Sequence, residues 1–473
     1  MAYTDYETVI GLEVHVELNT KTKVFCSCPT DFGGEPNTRV CPVCMGLPGA
    51  LPVLNRQVVR HAAKAGLALG CTVAPVSGQD RKNYFYPDLP KAYQISQYDR
   101  PLCSGGSLEI ETADGSKEVR ITRIHIEEDA GKLIHDRGDG TLIDYNRCGI
   151  PLIEIVSEPD LRSAEEAKAY LQTLRSLIRY IGISDCRMNE GSFRADVNLS
   201  VRKKGDTRLG TRTEIKNLNS FAFAAKAIES ESKRQIALLE EGLPVERETR
   251  RFDPATGTTE TMRKKETEAD YRFFPDPDLP PVRLSEDEIR SLSEALPELP
   301  RYRRRRWQSA LSLPSYDAAV LSSDRGLADT FDAIASLTDF PRIAAGLIIT
   351  DILGVCPSED FSCPISPTRI ASLANLLGRG EINRATAKKL LQRLFEGDFD
   401  PEAVVISEGL GQINDEALLR PIVRQVIAAN PKSVADYRAG KTHAAKALIG
   451  QVMAKTAGRA NPSLLSSLIE EEL

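Results

Sequence analysis

Polar and apolar residues alternate strictly in a segment near the start of the chain. In "GLEVHVEL", residues 11–18, four aliphatic side chains alternate with Glu13, His15 and Glu17. Successive side chains of a β-strand point to opposite faces of a sheet. The segment therefore predicts a strand with one aliphatic face, and with two carboxylates and an imidazole on the other face.

Two later segments show the same alternation. "RADVNLSVR", residues 194–202, places Arg194 and Asp196 on a polar face. The polar side of "RTEIKNLNS", residues 212–220, carries Arg212, Glu214 and Lys216. Such strands are typical of an antiparallel sheet with one face on the core. The polar face is either an ordinary solvated surface or the floor of a site, and alternation alone does not separate the two.

Two carboxylate-rich segments favour a site. "GIPLIEIVSEPD" places Glu154 inside an apolar run, where burying a carboxylate costs on the order of several kcal/mol unless cations or donors compensate. "ITRIHIEEDAGK" ends an alternating strand with Glu127, Glu128 and Asp129. Carboxylate oxygens and an imidazole suit a hard divalent cation that carries substrate phosphates.

Basic and aromatic residues are interleaved in "DRKNYFYPDLPKAYQISQ", residues 80–97. Such a mixture can contact phosphates and stack on bases, and a packed aromatic loop is the equally weighted alternative. The basic run "RYRRRRW", from residue 301, is either a solvated helix face or a phosphate contact. The chain has no G-x4-GK[ST] motif, so an ATP site would not use a P-loop.

The pattern changes near residues 290 and 400. The first region is rich in alternating, β-branched segments, whereas the second is helical, with Ser285 as an N-cap at its start, and the third contains short helices. The predicted fold is α+β. It comprises a cradle built on a mainly antiparallel sheet (1–292), a helical domain (293–400) and a small helical tail domain (401–473).

The composition is that of a globular protein. The 473 residues are 41% hydrophobic and 27% charged, and no apolar run approaches the length of a membrane-spanning helix. A net charge of −6 argues weakly against a general nucleic-acid binder, yet it allows a basic groove. The start of the chain has no signal-peptide pattern, which makes the cytoplasm the expected compartment.

Four of the ten cysteines lie in one short stretch. Cys26 and Cys28 form a C-x-C pair, and Cys41 and Cys44 form a C-x2-C pair. Two short-spaced pairs are typical of a tetrahedral zinc site, with a redox pair or free thiols as alternatives. A structural disulfide is not expected in a reducing cytosol. Four cysteine ligands leave no open position for catalysis, so the prediction is structural zinc.

Taken in order, these segments resemble the B subunit of the tRNA-dependent amidotransferases. The resemblance rests on "ETVIGLEVHVEL", "DRKNYFYPDLPKAYQISQ", "HIEEDAGK", "NRCGIPLIEIVSEPD", "RADVNLS", "EIKNLNS" and "DYRFFPDPDLPP", spread over residues 7–281. The last third of the chain is similar, more weakly, to the helical and tail domains of the same family.

The resemblance implies a two-step reaction on the end of a misacylated tRNA. ATP phosphorylates the side-chain carboxylate of Asp on tRNA(Asn) or of Glu on tRNA(Gln), and ammonia then displaces the phosphate to give Asn-tRNA or Gln-tRNA. Phosphoryl transfer requires mainly positioning and charge neutralisation, which Mg²⁺ and lysine supply.

The family's site residues fall on named positions of this chain. The implied magnesium ligands are His15, Glu128 and Glu154. The residues implied in catalysis are Lys82, as a phosphate clamp, together with Glu13 and Asp196. Those implied in substrate or ATP binding are Tyr84, Arg194, Lys216 and Asn217.

The resemblance also implies partners. In the family, a separate amidase (glutaminase) chain, called A, produces ammonia from glutamine, and a small third chain, called C, links the two. The tail domain contacts tRNA, which here would use Lys441, Lys446, Lys455 and Arg459. Some family members lack the four cysteines, so zinc would only fix the loop after the first strand. The alternative is a non-catalytic, zinc-containing tRNA-binding protein, which would leave the buried Glu154 without a partner.

Overall fold

The chain divides into two compact units. The computed structural model describes residues 5–135, 139–264, 271–439 and 443–473. One unit extends to Leu299, and the other comprises Pro300–Leu473. None of the described helices has both the length and the hydropathy that crossing a bilayer requires.

The first unit contains a large sheet, several short strand pairs and four described helices. Its strands are β1 (Tyr6–Glu17), β2 (Thr72–Val73), β3 (Val76–Ser77), β4 (Asp80–Asn83), β5 (Tyr93–Ser96), β6 (Cys103–Ser104), β7 (Ser107–Thr112), β8 (Gly115–Glu128), β9 (Lys132–Ile134), β10 (Leu142–Asp144), β11 (Pro151–Ser157), β12 (Phe193–Lys203), β13 (Thr213–Lys216), β14 (Glu248–Asp253), β15 (Thr258–Lys264), β16 (Phe274–Pro275) and β17 (Val282–Arg283). Its helices are α1 (Arg56–Ala68), α2 (Ala164–Tyr180), α3 (Phe221–Glu240) and α4 (Glu286–Glu294).

The large sheet has the strand order β15-β14-β13-β12-β1-β11-β8-β6-β2, with β7 paired to β8. Only β13 and β14 pair in parallel among its described strands, so the sheet is mainly antiparallel, as predicted. Strand β1 is central, because it pairs with β12 on one side and with β11 on the other. The three segments whose alternation predicted strands are β1, β12 and β13.

The aliphatic face of this sheet forms the core. Leu12 and Val14 of β1 are buried in one hydrophobic cluster with Leu174 of α2 and Ala227 of α3. Helix α2 begins where the hydroxyl of Ser163 accepts a hydrogen bond from the Glu166 backbone, with acidic residues in the first turn. The helices therefore cover one face of the sheet, and the polar side chains of β1, β12 and β13 project from the other.

The second unit is helical. Its helices are α5 (Pro300–Ala310), α6 (Ser315–Leu321), α7 (Arg325–Ala335), α8 (Pro341–Leu347), α9 (Pro367–Gly378), α10 (Arg384–Glu396), α11 (Pro401–Ser407), α12 (Glu416–Ala429), α13 (Pro431–Arg438), α14 (His443–Lys455) and α15 (Pro462–Glu472), with a π-helical segment at Ile348–Ile352. Helices α12, α14 and α15 share a core that includes Leu419, Leu448 and Leu465. The α+β fold class is thus confirmed, and the domain boundaries at residues 292 and 400 stay predictions.

Arginines of the two basic segments in the second unit form ion pairs or hydrogen bonds within that unit. "RYRRRRW" lies in α5, where Arg306 Nη2 lies 2.9 Å from Asp332 Oδ2 of α7 and Arg303 pairs with Asp329. In the predicted tRNA-contacting tail, Arg459 Nη1 donates to the Gly409 carbonyl at 2.6 Å. Lys441 lies outside the described residues. The ion pairs of α5 favour the structural interpretation of that basic run.

Candidate active site and metal centres

The strand register brings distant polar residues into one row. Residues opposite each other in an antiparallel pair share a face of the sheet. His15 of β1 lies opposite Glu154 of β11 and opposite Arg194 of β12, and Glu154 in turn lies opposite His125 of β8. Two residues before His15, and on the same face of β1, Glu13 lies opposite Asp196. The polar face is therefore a continuous surface built by four neighbouring strands.

Three of these side chains form a candidate metal centre. The ligand atoms of His15, Glu127 and Glu154 all lie within 4.8 Å of one another. His15 Nε2 lies 3.2 Å from Glu154 Oε2, while His125 Nε2 lies 3.2 Å from Glu127 Oε1 and 3.8 Å from Glu154 Oε2. Two carboxylates and one imidazole match the donor set that a hard divalent cation takes in proteins.

The structure brings Glu127, rather than the predicted Glu128, to His15 and Glu154. Glu127 shares its face of β8 with His125, because the two are separated by two positions. Glu128 points to the opposite side, where it accepts a hydrogen bond from the Ile95 backbone at 2.8 Å and pairs with the ammonium of Lys91. The geometry therefore favours Glu127 as the third ligand, and the assignment of Glu128 as a magnesium ligand stays a prediction.

Lys82 stands beside this centre. Its Nζ lies 3.9 Å from Glu127 Oε1, and it lies 5.3 Å from the ring centre of Tyr271 and 5.9 Å from that of Tyr84. Glu127 also accepts hydrogen bonds from Ser96 Oγ at 2.7 Å and from Gln94 Nε2 at 3.2 Å. The β4–β5 hairpin, which the basic and aromatic segment forms, therefore positions both the Lys82 ammonium and the Glu127 carboxylate.

The charges of the cluster shift one another's pKa values. Burial alone would raise the pKa of Glu127 and Glu154, yet Lys82 and His125 hold the pKa of Glu127 well below its ordinary range, and His125 and His15 lower that of Glu154 to about 2. Burial would lower the pKa of His15, but its hydrogen bond to Glu154 and the nearby carboxylates raise it to about 9. Both carboxylates are therefore ionised and ready to bind a cation.

A second acidic group lies on the same face. Oxygen atoms of Glu13, Asp196 and Glu214 lie within 4.8 Å of one another. Lys216 Nζ sits among them, 2.7 Å from Asp196 Oδ2 and 3.0 Å from Glu214 Oε1. Burial, followed by repulsion from Glu154 and Asp196, raises the pKa of Glu13, although Asn198 donates a hydrogen bond to its Oε1 at 2.9 Å.

Both acidic groups line one open pocket of about 900 Å³. Its lining includes Glu13, His15, Lys82, His125, Glu127, Glu154, Asp196, Asn198, Glu214 and Lys216. Tyr98 and Phe273, which stack at 4.3 Å with an interplanar angle of 12°, also line it. So do Arg123 and Arg212, which make no ion pair within the described residues. The pocket therefore combines metal-binding carboxylates, cations and an aromatic wall.

Three predicted binding residues are not among the described lining of this pocket. Arg194 turns its guanidinium to Asp129, with Nη2 2.6 Å from Oδ2. The ring centre of Tyr84 lies 5.9 Å from Lys82 Nζ, and burial raises the pKa of the Tyr84 phenol. Asn217 is exposed directly after β13, with a left-handed backbone (φ 65°). Lys216 is the predicted substrate-binding residue that the structure brings to the pocket.

Sequence reasoning missed several residues of the site. His125, Gln94 and Ser96 contact the metal-centre carboxylates, and Arg123 adds a cation to the pocket. His125 had a usable signal, because it shares its strand face with Glu127. The hydrogen bonds from the β5 residues had none, because they join positions more than 30 residues apart in the chain.

The four cysteines form a second candidate metal centre, outside the pocket. Their sulfurs lie within 4.8 Å of one another. The Cys41 backbone donates to Cys44 Sγ at 3.2 Å, and the buried Lys23 places its Nζ 3.8 Å from the same sulfur. The hydrogen bond from Cys26, with further help from Lys23, lowers the pKa of Cys44 to about 5. A tetrahedral thiolate site for zinc fits this arrangement.

The cysteine loop also contacts the strand that carries Glu154. Cys148 Sγ donates to the Cys44 carbonyl at 3.5 Å, and the Val24 backbone donates to the Gly149 carbonyl at 3.0 Å. Strand β11 begins two residues later, at Pro151. The loop, which follows β1 in the chain, therefore supports the start of β11, the strand that provides Glu154, and it contributes no residue to the pocket described above.

Comparison with known proteins decides the family. A family model described as the GatB/GatE catalytic domain matches residues 8–290, and a second model, described as the GatB domain, matches residues 329–473. The chain belongs to the GatB family. Its predicted membership among the B subunits of tRNA-dependent amidotransferases is thereby confirmed.

Relatives within the GatB family match end to end. The proteins of Caldicellulosiruptor saccharolyticus and Caldanaerobacter subterraneus are 52% and 53% identical to the chain, over 99% of both sequences in each case. The protein of Agathobacter rectalis is 51% identical, over 99% of this chain and 100% of its own. All three are named as the B subunit of an aspartyl/glutamyl-tRNA(Asn/Gln) amidotransferase.

Proposed function

We propose that the chain uses ATP to activate the side-chain carboxylate of Asp on tRNA(Asn), of Glu on tRNA(Gln), or of both, and then directs amidation by ammonia. One observation carries this proposal. A cluster of two ionised carboxylates and an imidazole lies next to a lysine in a large pocket. Phosphoryl transfer requires such a combination, because a metal ion and a lysine neutralise the charge of the phosphates.

In the first step, an oxygen of the substrate carboxylate attacks the γ-phosphorus of ATP, and ADP leaves. Lys82 and Lys216 neutralise charge on the phosphates from two sides of the pocket. Magnesium would be held by His15, Glu127 and Glu154, and would supply further charge neutralisation there. Asp196 positions Lys216 through their 2.7 Å ion pair.

In the second step, the nitrogen of ammonia attacks the activated acyl carbon, and inorganic phosphate leaves with the carboxylate oxygen. The attacking nitrogen must lose a proton. Glu13 is placed to accept it, since its raised pKa makes it a stronger base than an ordinary carboxylate. Tyr84, Arg194 and Asn217 lie outside the lining of the pocket and would bind the parts of the substrate that extend beyond it.

The proposal includes partners and a compartment. An amidase (glutaminase) chain would supply ammonia from glutamine, and a small third chain would join the two larger ones. The tail domain (401–473) would contact the body of tRNA through the exposed Lys446 and Lys455, which position RNA without reading its sequence. The four cysteines would hold structural zinc. Because its substrates belong to translation, the reaction would take place in the cytoplasm.

The test is reconstitution with both partner chains. Misacylated Asp-tRNA and Glu-tRNA are supplied with ATP and Mg²⁺, and with either glutamine or ammonium chloride. Formation of Asn-tRNA or Gln-tRNA from ammonium, with the amidase inactivated, is the expected result. Tight tRNA binding without product from either nitrogen donor would instead identify a non-catalytic tRNA-binding protein.

A further inference from the structure

A fully buried lysine lies directly before the cysteine loop. Lys23 is 0% exposed, and it precedes Cys26 by three positions. Its Nζ donates a hydrogen bond to the Arg39 carbonyl at 2.8 Å and lies 3.8 Å from Cys44 Sγ. Within the described residues it makes no ion pair with a carboxylate. The charge of this ammonium group must therefore be balanced by something other than Asp or Glu in that part of the chain.

Two carboxylates share a small cavity with Lys23, and both are paired with other cations. The cavity has a volume of about 70 Å³, and its lining includes Lys23, Glu128 and Asp278. Glu128 pairs with the ammonium of Lys91. Asp278 Oδ2 lies 2.9 Å from Arg81 Nη2. Neither carboxylate therefore neutralises Lys23.

An ammonium group without a counter-charge is unfavourable in a protein interior. Its removal from water must be offset by an opposite charge and by hydrogen bonds. The Arg39 carbonyl supplies a hydrogen bond but no negative charge. The remaining partner is the sulfur of Cys44, which lies within 4.8 Å of the sulfurs of the other three cysteines of the loop. The burial of Lys23 thus points to negative charge on the cysteine cluster.

A metal complex of the four cysteines would supply this charge. Cysteine binds a metal ion as the thiolate. Four thiolates around one divalent ion leave two negative charges without compensation. Lys23 is placed to neutralise one of them, because its Nζ lies beside Cys44 Sγ. Four neutral thiols would leave Lys23 without an anion.

Lys23 connects the two cysteine pairs. Its backbone N–H donates to the Cys28 carbonyl at 3.0 Å. Its aliphatic stem lies against the turn before β11, where a Cβ built on Gly149 would lie 3.5 Å from Lys23 Cδ and 3.6 Å from Cys44 Cβ. The backbone therefore fixes Lys23 at the first pair, and its ammonium group reaches the second pair.

We propose that Lys23 is the counter-cation of a metal complex formed by the four cysteines, and that its charge makes the site selective for a divalent ion held by all four thiolates. This inference rests on the proposed function, which assigns zinc to these cysteines. A trivalent ion, or a set of ligands in which one cysteine stays a neutral thiol, gives a complex with one negative charge fewer. Lys23 attracts such a complex less strongly. It is a positioning residue and not a ligand.

The first test measures zinc affinity of the full-length chain. Lys23→Met keeps an unbranched side chain and removes the charge, and replacing a buried charge with an apolar residue is often tolerated by the fold. Competition with a chromophoric chelator gives the dissociation constant for Zn²⁺. We expect Lys23→Met to weaken Zn²⁺ binding at least about tenfold. The exposed Lys21→Met, which removes a nearby lysine charge, is the matched control and should leave the constant unchanged.

Iron provides a readout that depends on charge. A tetrahedral set of four thiolates also accepts iron. One-electron reduction of ferric to ferrous iron by dithionite adds a negative charge to the complex, and Lys23 stabilises that charge. Lys23→Met should therefore lower the reduction potential by at least about 60 mV, which is tenfold for a one-electron couple. A side chain that only fills space supports both oxidation states alike, so its loss would leave the potential unchanged.

A second variant separates charge from hydrogen bonding. Lys23→Gln keeps a donor for the Arg39 carbonyl but carries no charge. We expect it to weaken Zn²⁺ binding and to lower the iron potential, as Lys23→Met does. Wild-type affinity and potential in Lys23→Gln would show that Lys23 acts only as a donor, and would overturn the inference.

The outcomes separate the inference from the proposed function. Wild-type chain that binds no Zn²⁺ would overturn the assignment of zinc to the four cysteines. Wild-type Zn²⁺ binding that Lys23→Met and Lys23→Gln both leave unchanged would overturn the role of Lys23 alone. Weaker Zn²⁺ binding with an unchanged iron potential would also overturn it, and would assign Lys23 to packing of the loop.

Discussion

The imidazole Nε2 of His15 lies 3.2 Å from Oε2 of Glu154, across two adjacent antiparallel strands. Because this contact raises the pKa of His15 to about 9, the imidazole is protonated at neutral pH when no metal is bound. A divalent cation needs the neutral imidazole. A proton and a metal ion therefore compete for the imidazole nitrogen of His15.

Removal of the Glu154 charge should abolish amidation. Glu154→Gln keeps the side-chain volume but leaves His15 and Glu127 with too little negative charge to hold a cation. We expect ATP-dependent product formation to fall by more than about 100-fold. Loss of a residue that only supports a metal ligand costs up to about 100-fold, so a larger loss indicates a ligand. tRNA binding should stay within twofold. The exposed Glu111→Gln is the matched control, and an equal loss of tRNA binding in Glu154→Gln would contradict a catalytic role.

Glu127 and Glu128 should behave differently although they are adjacent. Glu127→Gln should weaken Mg²⁺ binding, measured by titration calorimetry, by at least about tenfold. Glu128→Gln should leave Mg²⁺ binding nearly unchanged, because its carboxylate faces Lys91. It should instead lower the free energy of unfolding by about 3 kcal/mol or more, since the Lys91 ammonium is left buried without a counter-charge. The reverse pattern would restore Glu128 as the ligand.

Zinc removal should loosen the cysteine loop without removing a catalytic group. We expect one zinc per chain by elemental analysis, and a lower melting temperature after treatment with a chelator. Hydrogen exchange should then increase in residues 26–44, and also near Gly149, because the loop contacts the start of β11 there. Cys26→Ser provides the control, since a chelator should cause no further change in it. Unchanged melting and no bound zinc would contradict the metal site.

His61 should make the first unit sensitive to acid. Burial, followed by the charge of Lys64, lowers the pKa of His61 from an ordinary 6.5 to about 4. The unfolded chain therefore takes up a proton more readily, and the stability conferred by neutral His61 is full above pH 6.5 and is lost as pH falls through 4. Between pH 7 and pH 5 the free energy of unfolding therefore falls by about 2 kcal/mol because of His61.

Urea unfolding at pH 7 and pH 5 measures this loss. His61→Leu should remove about 2 kcal/mol of the difference between the two pH values, whereas the exposed His135→Leu should leave it unchanged. An unaltered difference in His61→Leu would show that other groups cause the acid sensitivity.

The alternation of β1, β12 and β13 was sufficient to predict the polar face of the sheet, and the apolar surroundings of Glu154 were sufficient to predict its burial. The sequence motif predicted Glu128 as a metal ligand, whereas the strand face that Glu127 shares with His125 places Glu127 beside His15 and Glu154. The hydrogen bonds that hold Glu127 could not be predicted, since Gln94 and Ser96 reach its carboxylate only through tertiary packing. Local patterns thus identify the strands, and the register between strands identifies the site.

The central position of β1 has a consequence for how the chain becomes active. Its neighbours on the two sides, β11 and β12, come from residues 151–157 and 193–203, so Glu13 meets Asp196 only after closure of a very long loop. Contacts of such sequence separation slow folding. During synthesis, the strand carrying Glu13 and His15 emerges before β11 and β12, and it stays without these partners until residues 151–203 have been made. Nascent chains that end before β12 will therefore expose β1 to aggregation and to chaperones.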